Sequence, residues 1–150
     1  MHSLNLPKYA FKLKKEEEVE FIFDRIRNKY IVLTPEEWVR QHLLMFLIND
    51  LGYPKGLIKV ESGVMYNSRV KRSDIVVFNS LGLPHILVEC KSPTVVINQS
   101  TMEQVAMYNR TLKASIMVLS NGLVHYTFKI GDGGELTNLS EIPRFSRATE

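Results

Sequence analysis

Between His85 and Leu119 the chain reads as strand, helix, strand, and that order restricts the fold more than any other feature of the sequence. His85 to Lys91 is a short apolar run stopped by Ser92-Pro93. Gln99 to Leu112 then sets Met102, Val105, Ala106, Tyr108 and Leu112 at helical spacing, and Ser115 to Leu119 is apolar again. Two strands joined through a helix pair in parallel with a right-handed crossover. Ahead of this unit, Ile58 to Tyr66 and Ser73 to Asn79 read as strands with short connections, which makes neighbours antiparallel. Further upstream, the alternation from Phe11 to Leu33 predicts one or two hairpin strands. Thr34-Pro35-Glu36-Glu37 opens a helix, with threonine as cap, proline at the first position and glutamate three residues after the cap; Gly52 and Pro54 end it. Downstream, Asn121-Gly122 predicts a two-residue hairpin into Leu123 to Ile130, and beyond Gly131-Asp132-Gly133-Gly134 the tail is weakly patterned. The expected fold is α/β (α+β mixed): a mixed central β-sheet flanked by two helices, with an N-terminal β-hairpin.

At 150 residues the chain has room for a single domain over 1–150, its core falling at about 30–130. No run approaches the ~18 apolar residues of a membrane span. One cysteine, Cys90, excludes an internal disulfide framework and a zinc knuckle, and a reduced, cytoplasmic setting is the expectation. The net charge of +3 is a mild tilt towards anionic partners. Its basic residues gather in short clusters: Lys12, Lys14, Lys15; Arg25, Arg27, Lys29; and Arg69, Lys71, Arg72. These fit either solvated strand edges and turns or phosphate contacts. Neither a Gly-rich phosphate loop nor a nucleophile elbow is present, which argues against nucleotide hydrolysis and esterase chemistry.

The chemistry concentrates in the hairpin of Ser73 to Asn79 and His85 to Lys91. If Asn79 faces Pro84 across the loop Ser80 to Leu83, stepping along the register sets Asp74 opposite Glu89. Opposed residues on one sheet face have Cβ atoms roughly 4.5–5.5 Å apart, and like charges so placed repel unless something positive lies between them. Alternation puts Lys91 on the face of Glu89 and turns Cys90 to the other. Two acids and a lysine then converge at one end of the sheet, a donor set suited to a hard dication such as Mg²⁺. The bland alternative is an ordinary Glu89–Lys91 ion pair with Asp74 as a turn residue. Against it, Glu89 interrupts the core-like run Ile86-Leu87-Val88, and a buried carboxylate needs compensation.

These residues resemble the PD-(D/E)XK nuclease superfamily, with Ser73-Asp74 standing for its proline-aspartate element and Glu89-Cys90-Lys91 for its acid-x-lysine element. Gln104-Val105-Ala106-Met107-Tyr108 looks like the Gln-x-x-x-Tyr motif of the RecB-type and type I restriction nucleases, whose two residues contact or position the substrate or the active-site groups. The bland reading makes Tyr108 core and Gln104 its neighbour. More closely, Thr34 to Gln41, Gly52-Tyr53-Pro54 and Ser120-Asn121-Gly122 resemble, in order, the N-terminal nuclease domain of type I restriction enzyme restriction subunits. Ser73 departs from the family's proline, which is not a ligand. The stretch holds no ATPase motor, so the expectation is a freestanding nuclease, an excised fragment, or a subunit needing others.

The resemblance implies a restriction-endonuclease-like core and a Mg²⁺-dependent deoxyribonuclease, with Mn²⁺ substituting. Asp74, Glu89 and the backbone carbonyl of Cys90 would hold the metal, Lys91 would assist the nucleophile or transition state, and Gln104 and Tyr108 would support the site. Some members complete the metal site with a glutamate of the first helix, here Glu37; the capping box is its favoured structural role, and Gln41, one turn on, shares the ambiguity. Arg69, Lys71 and Arg72 precede Asp74 and are the expected phosphate contacts. His42, His85 and His125 lack metal-site spacing and read as partly buried structural residues. DNA is the expected partner, RNA is not excluded by the residues, and other restriction-modification subunits or a second copy of the chain are further candidates. The rival class is a catalytically silent nucleic-acid-binding or assembly module of the same fold.

Overall fold

The structure, a computed structural model, describes the backbone of residues 1–66 and 69–147, and their side chains other than those of 61–73. The chain forms β1 (Leu13–Glu16), β2 (Val19–Asp24), β3 (Lys29–Val32), α1 (Pro35–Met45), β4 (Ile58–Tyr66), β5 (Arg69–Phe78), β6 (Pro84–Cys90), α2 (Gln99–Leu112), β7 (Ile116–Ser120), β8 (His125–Ile130) and β9 (Leu136–Leu139). The central sheet has the order β4-β5-β6-β7-β8-β9. Its β6–β7 pair is parallel, bridged by α2, and its other pairings are antiparallel. The expected mixed sheet between two helices is therefore present, and the expected N-terminal hairpin is a separate antiparallel sheet of three strands, β1-β2-β3.

Alternation along β5 and β6 assigns the two faces of the central sheet. Ile75, Val77, Ile86, Val88 and Cys90 pack with Val39, Leu43 and Leu44 of α1 and with Leu47 just beyond it. Val76 and Leu87 point the other way, to Val105, Tyr108 and Leu112 of α2 with Met117 and Leu119. Both faces are covered, which is why β6 and β7 read as continuous apolar runs rather than as alternating ones. Burying one such leucine side chain contributes roughly 1.5–3 kcal/mol, so the sheet's stability rests mainly on these two layers.

Helix α1 begins as its sequence signals require: Pro35 is the first helical residue, and Thr34 Oγ1 accepts a hydrogen bond from the Glu37 N–H at 3.0 Å. The helix widens at Phe46–Asp50, where Leu51 N–H reaches back to the carbonyl of Phe46, and Gly52 then takes φ +80°, a turn that strains other residues. At the end of α2, Lys113 adopts the left-handed φ of 63°, and the Asn109 amide bonds both the N–H and the carbonyl of Ala114. A side chain there does the work that a terminal glycine usually makes unnecessary.

Three local expectations change. Phe78, not Asn79, faces Pro84, because a register shift between Val77 and Phe78 leaves His85 as an extra residue on β6; the pairs beyond it, Val77–Ile86 to Ile75–Val88, keep the predicted register. The β7–β8 connection is the four-residue turn Asn121–Val124 rather than a two-residue hairpin, with Asn121 Oδ1 accepting from the N–H groups of Leu123 and Val124. Gly122 there has φ +85°, a conformation that strains other residues, and an added Cβ would lie 2.7 Å from the Leu4 side chain, which would have to shift. Finally, the tail contributes the edge strand β9.

Two substitutions separate the contributions. Leu87→Ala should cost about 2–5 kcal/mol, and Thr34→Ala only about 1 kcal/mol, as measured by urea unfolding.

Candidate active site

The site lies at the carboxyl end of β6, where its ladder to β5 stops. The last paired couple is Ile75–Val88, so Asp74 and Glu89 occupy the next step on either strand. Backbone pairing gives way there to a side-chain contact: Asp74 Oδ2 accepts the Cys90 N–H at 2.7 Å. On the other edge of β6, Lys91 N–H donates to the carbonyl of Ser120 on β7. Successive residues of an extended strand present their polar groups to opposite edges, so the Cys90 carbonyl shares the edge that faces Asp74. Glu89 is 8% exposed, Asp74 and Lys91 are half-buried, and the ammonium of Lys91 makes no ion pair among the described residues.

Helix α1 supplies a cation that the sequence reading passed over. Arg40 is 5% exposed, and its Nη2 lies 2.5 Å from Asp74 Oδ1. Nη1 lies 2.6 Å from Glu37 Oε1, and Nη2 also reaches Glu36 Oε2 at 3.1 Å. Glu37 is held from its other side by Arg27 at 3.2 Å and by the Gln41 amide at 2.9 Å. Arg27 and Gln41 converge in turn on the fully buried Asp24 at the end of β2. A ladder of alternating charge, Asp24–Arg27–Glu37–Arg40–Asp74, thus runs from the three-stranded sheet, through the first turns of α1, to the end of the central sheet.

The capping-box role favoured for Glu37 is accordingly corrected. Its backbone is capped by Thr34, but its carboxylate turns inward, because two buried guanidinium groups require a partner there. Gln41 shares that inward face. A sequence signal existed: Glu37, Arg40 and Gln41 are spaced three and four apart, on the stripe that continues to Leu44. Polar residues on a stripe that otherwise faces the core announce a buried network.

Burial would lower the Arg40 guanidinium, but Asp74 and Glu37 outweigh it and hold it charged. Burial likewise pushes the Asp24 carboxyl up, and the hydrogen bonds from the Arg27 backbone, Gln41 and the Arg27 guanidinium more than reverse this, leaving it below the usual carboxylate range. The Cys90 thiol is pushed well up by burial, which keeps it a neutral core residue, as its opposite-face position predicts.

The remaining predicted residues divide. Tyr108 is buried in the layer between α2 and the sheet, and Gln104, one turn before it, is exposed. The side chains of Arg69, Lys71 and Arg72 lie outside the described residues. Of the other basic clusters, Arg27 belongs to the buried ladder, while Lys14 and Lys15 pair with Glu16 and Glu18 on the surface. His42 is buried and bonds the Trp38 carbonyl, and His125 bridges Ser120 and the Asn5 carbonyl; both are structural. No group of three or more His, Cys, Asp and Glu side chains with metal-binding geometry occurs among the described residues. Among the described residues no helix is long and apolar enough to cross a membrane.

A six-stranded mixed sheet between two helices, with an antiparallel sheet ahead of it, defines a restriction-endonuclease-like domain. Residues 35–143 match the family described as type I restriction enzyme R protein N terminus, and the chain belongs to that family. A fragment structure of a protein described as an HsdR subunit of a type I restriction enzyme, from Vibrio vulnificus YJ016, shares the fold with a TM-score of 0.53 at 21% identity. The alignment covers 75% of this chain and 24% of that one, so the match spans about a quarter of that fragment's chain. No protein of curated function gives a significant match.

The depressed Asp24 carboxyl carries a pH signature. Its stabilisation is complete above the unfolded carboxylate value, about pH 4, and is lost as pH falls through its lower folded value. Asp24→Asn should destabilise the fold near neutrality, and its stability deficit should shrink as pH drops below about 4. Unfolding midpoints measured across that range check the sign.

Proposed function

We propose that the domain hydrolyses phosphodiester bonds of DNA as a Mg²⁺-dependent nuclease, with Mn²⁺ able to substitute. The observation that carries this reading is the fixed Asp74 carboxylate at the end of the β5–β6 ladder, bonded to the N–H of Cys90, the residue between Glu89 and Lys91 in sequence. The donor set fits a hard dication. Among the described residues each Asp74 oxygen accepts one hydrogen bond and keeps a lone pair, and Glu89 brings a second carboxylate. Two carboxylates and the Cys90 carbonyl leave room for the waters and phosphate oxygens that Mg²⁺ retains. When bound, such an ion supplies an acidified water and charge stabilisation at the scissile phosphate.

The chain's own residues do the rest. Lys91 brings an ammonium, without an ion pair among the described residues, to the place where negative charge builds on the phosphate. Tyr108 locks α2 onto the sheet from within the core, so that Gln104 is presented on the exposed face of that helix, where its amide can meet substrate. Arg69, Lys71 and Arg72 are proposed as backbone phosphate contacts, which hold DNA without reading its sequence. One chain carries one such site and would nick; cutting both strands requires a second copy or other restriction-modification subunits. A cytoplasmic setting accompanies this function.

A second reading has one observation in its favour. Asp74 is already neutralised by Arg40, and a paired carboxylate needs no metal, as in a silent DNA-binding module. Plasmid nicking separates the two. The nuclease should convert supercoiled DNA in Mg²⁺ or Mn²⁺, and Asp74→Asn or Lys91→Ala should lower the rate at least about 100-fold. Cleavage that survives Lys91→Ala or chelation would sink the mechanism. Salt-sensitive DNA binding without any cleavage would establish the module instead.

A further inference from the structure

The pairing of Arg40 with Asp74 has a consequence for how the site fills, and it rests on the metal-dependent reading above. We propose that Arg40 is a resident counter-ion that a divalent cation must displace from Asp74, so that the domain sets its own threshold for metal occupancy.

Three observations support an exchange rather than a permanent clamp. First, Asp74 does not need Arg40 to hold its position. Its Oδ2 is fixed by the Cys90 N–H at 2.7 Å, and Arg40 occupies the other oxygen. Second, Arg40 has somewhere to go. Nη2 is shared between Asp74 at 2.5 Å and Glu36 at 3.1 Å, while Nη1 is bound separately to Glu37 at 2.6 Å. Letting go of Asp74 leaves the guanidinium with two carboxylates, so its release does not strand a buried charge. The Glu36 side chain is 47% exposed and free to follow it, unlike Glu37, which is fixed between Arg27, Arg40 and Gln41. Third, the guanidinium is not fully committed, since its Nε has no hydrogen-bond partner among the described residues. A fork committed to Asp74 alone would use paired donors in parallel.

The electrostatic sign follows from the charges. A guanidinium in contact with Asp74 Oδ1 repels a dication ligated by the same carboxylate, and it cancels the negative charge that would attract one. Removing Arg40 should therefore strengthen metal binding. It should also weaken the fold, because Glu37 and Asp74 lose a partner in a buried setting. A residue with a purely structural role would move stability alone, and one that orients Asp74 for the metal would lower both.

Calorimetric titration of the chain with Mn²⁺, paired with thermal unfolding, tests this. Arg40→Gln should bind Mn²⁺ about tenfold or more tightly than wild type while melting at a lower temperature, and Arg40→Lys should stay near wild-type affinity. Asp74→Asn should abolish binding in either background. Should Arg40→Gln fail to fold, the double variant Glu37→Gln/Arg40→Gln removes a charge of each sign together. It too should bind more tightly, because the cation removed is the one touching Asp74. Equal or weaker Mn²⁺ binding by folded Arg40→Gln, or by the double variant in its place, would overturn the counter-ion role, yet wild-type binding lost in Asp74→Asn would leave the metal reading standing. Absence of Mn²⁺ binding in every variant would overturn both.

Discussion

Between α1 and the end of the central sheet, charged groups are shut away from water, and each must be answered by its neighbour. Removing one member of a buried pair costs about 3–5 kcal/mol, whereas surface pairs such as Lys14–Glu16 contribute less than about 1 kcal/mol. The ladder from Asp24 to Asp74 therefore constrains geometry in a way that the surface ions do not. It fixes the first turns of α1 against the sheet, ties the three-stranded sheet to the central one, and decides what Asp74 can touch. Apolar burial holds the layers together, and this polar seam sets their registration at the end where the chemistry-bearing residues gather.

Much of the fold was legible because its strongest signals are local. Pro35 and Thr34 start α1, Ser92-Pro93 stops β6, and helical spacing gives α2 at the predicted bounds, Gln99 to Leu112. The parallel β6–β7 pair then follows from topology alone. The register of β5 on β6 up to Ile75–Val88 also follows from alternation, and it survives a mistaken anchor. The shift between Val77 and Phe78 absorbs one residue beside the loop and leaves the pairs near the site in step.

Other features were not legible, for physical reasons that can be named. The turn between β1 and β2 uses Glu17 and Glu18 at φ 48° and 69°, so the hairpin carries no Asn-Gly or Gly-Gly signal. Asn121-Gly122 carries that signal, yet the Asn121 side chain organises a longer turn by accepting from two later N–H groups. Glu37 satisfies a complete capping-box pattern in sequence but answers Arg27 and Arg40 in space, since the demand of buried cations outweighs a terminal hydrogen bond. Arg40 itself was hidden by distance: its partner Asp74 is 34 residues away, and no local pattern joins them.

The family signature starts at residue 35, but the electrostatic unit that serves it starts earlier. Asp24 and Arg27 lie upstream of that boundary, and Leu4 and Asn5 close against the Gly122 turn. A fragment trimmed to the signature would keep both layers of the core and still strip Glu37 of Arg27. The segment before the first helix is thus a structural organ of the domain rather than a dispensable leader, and any excision or graft of this domain has to carry it along.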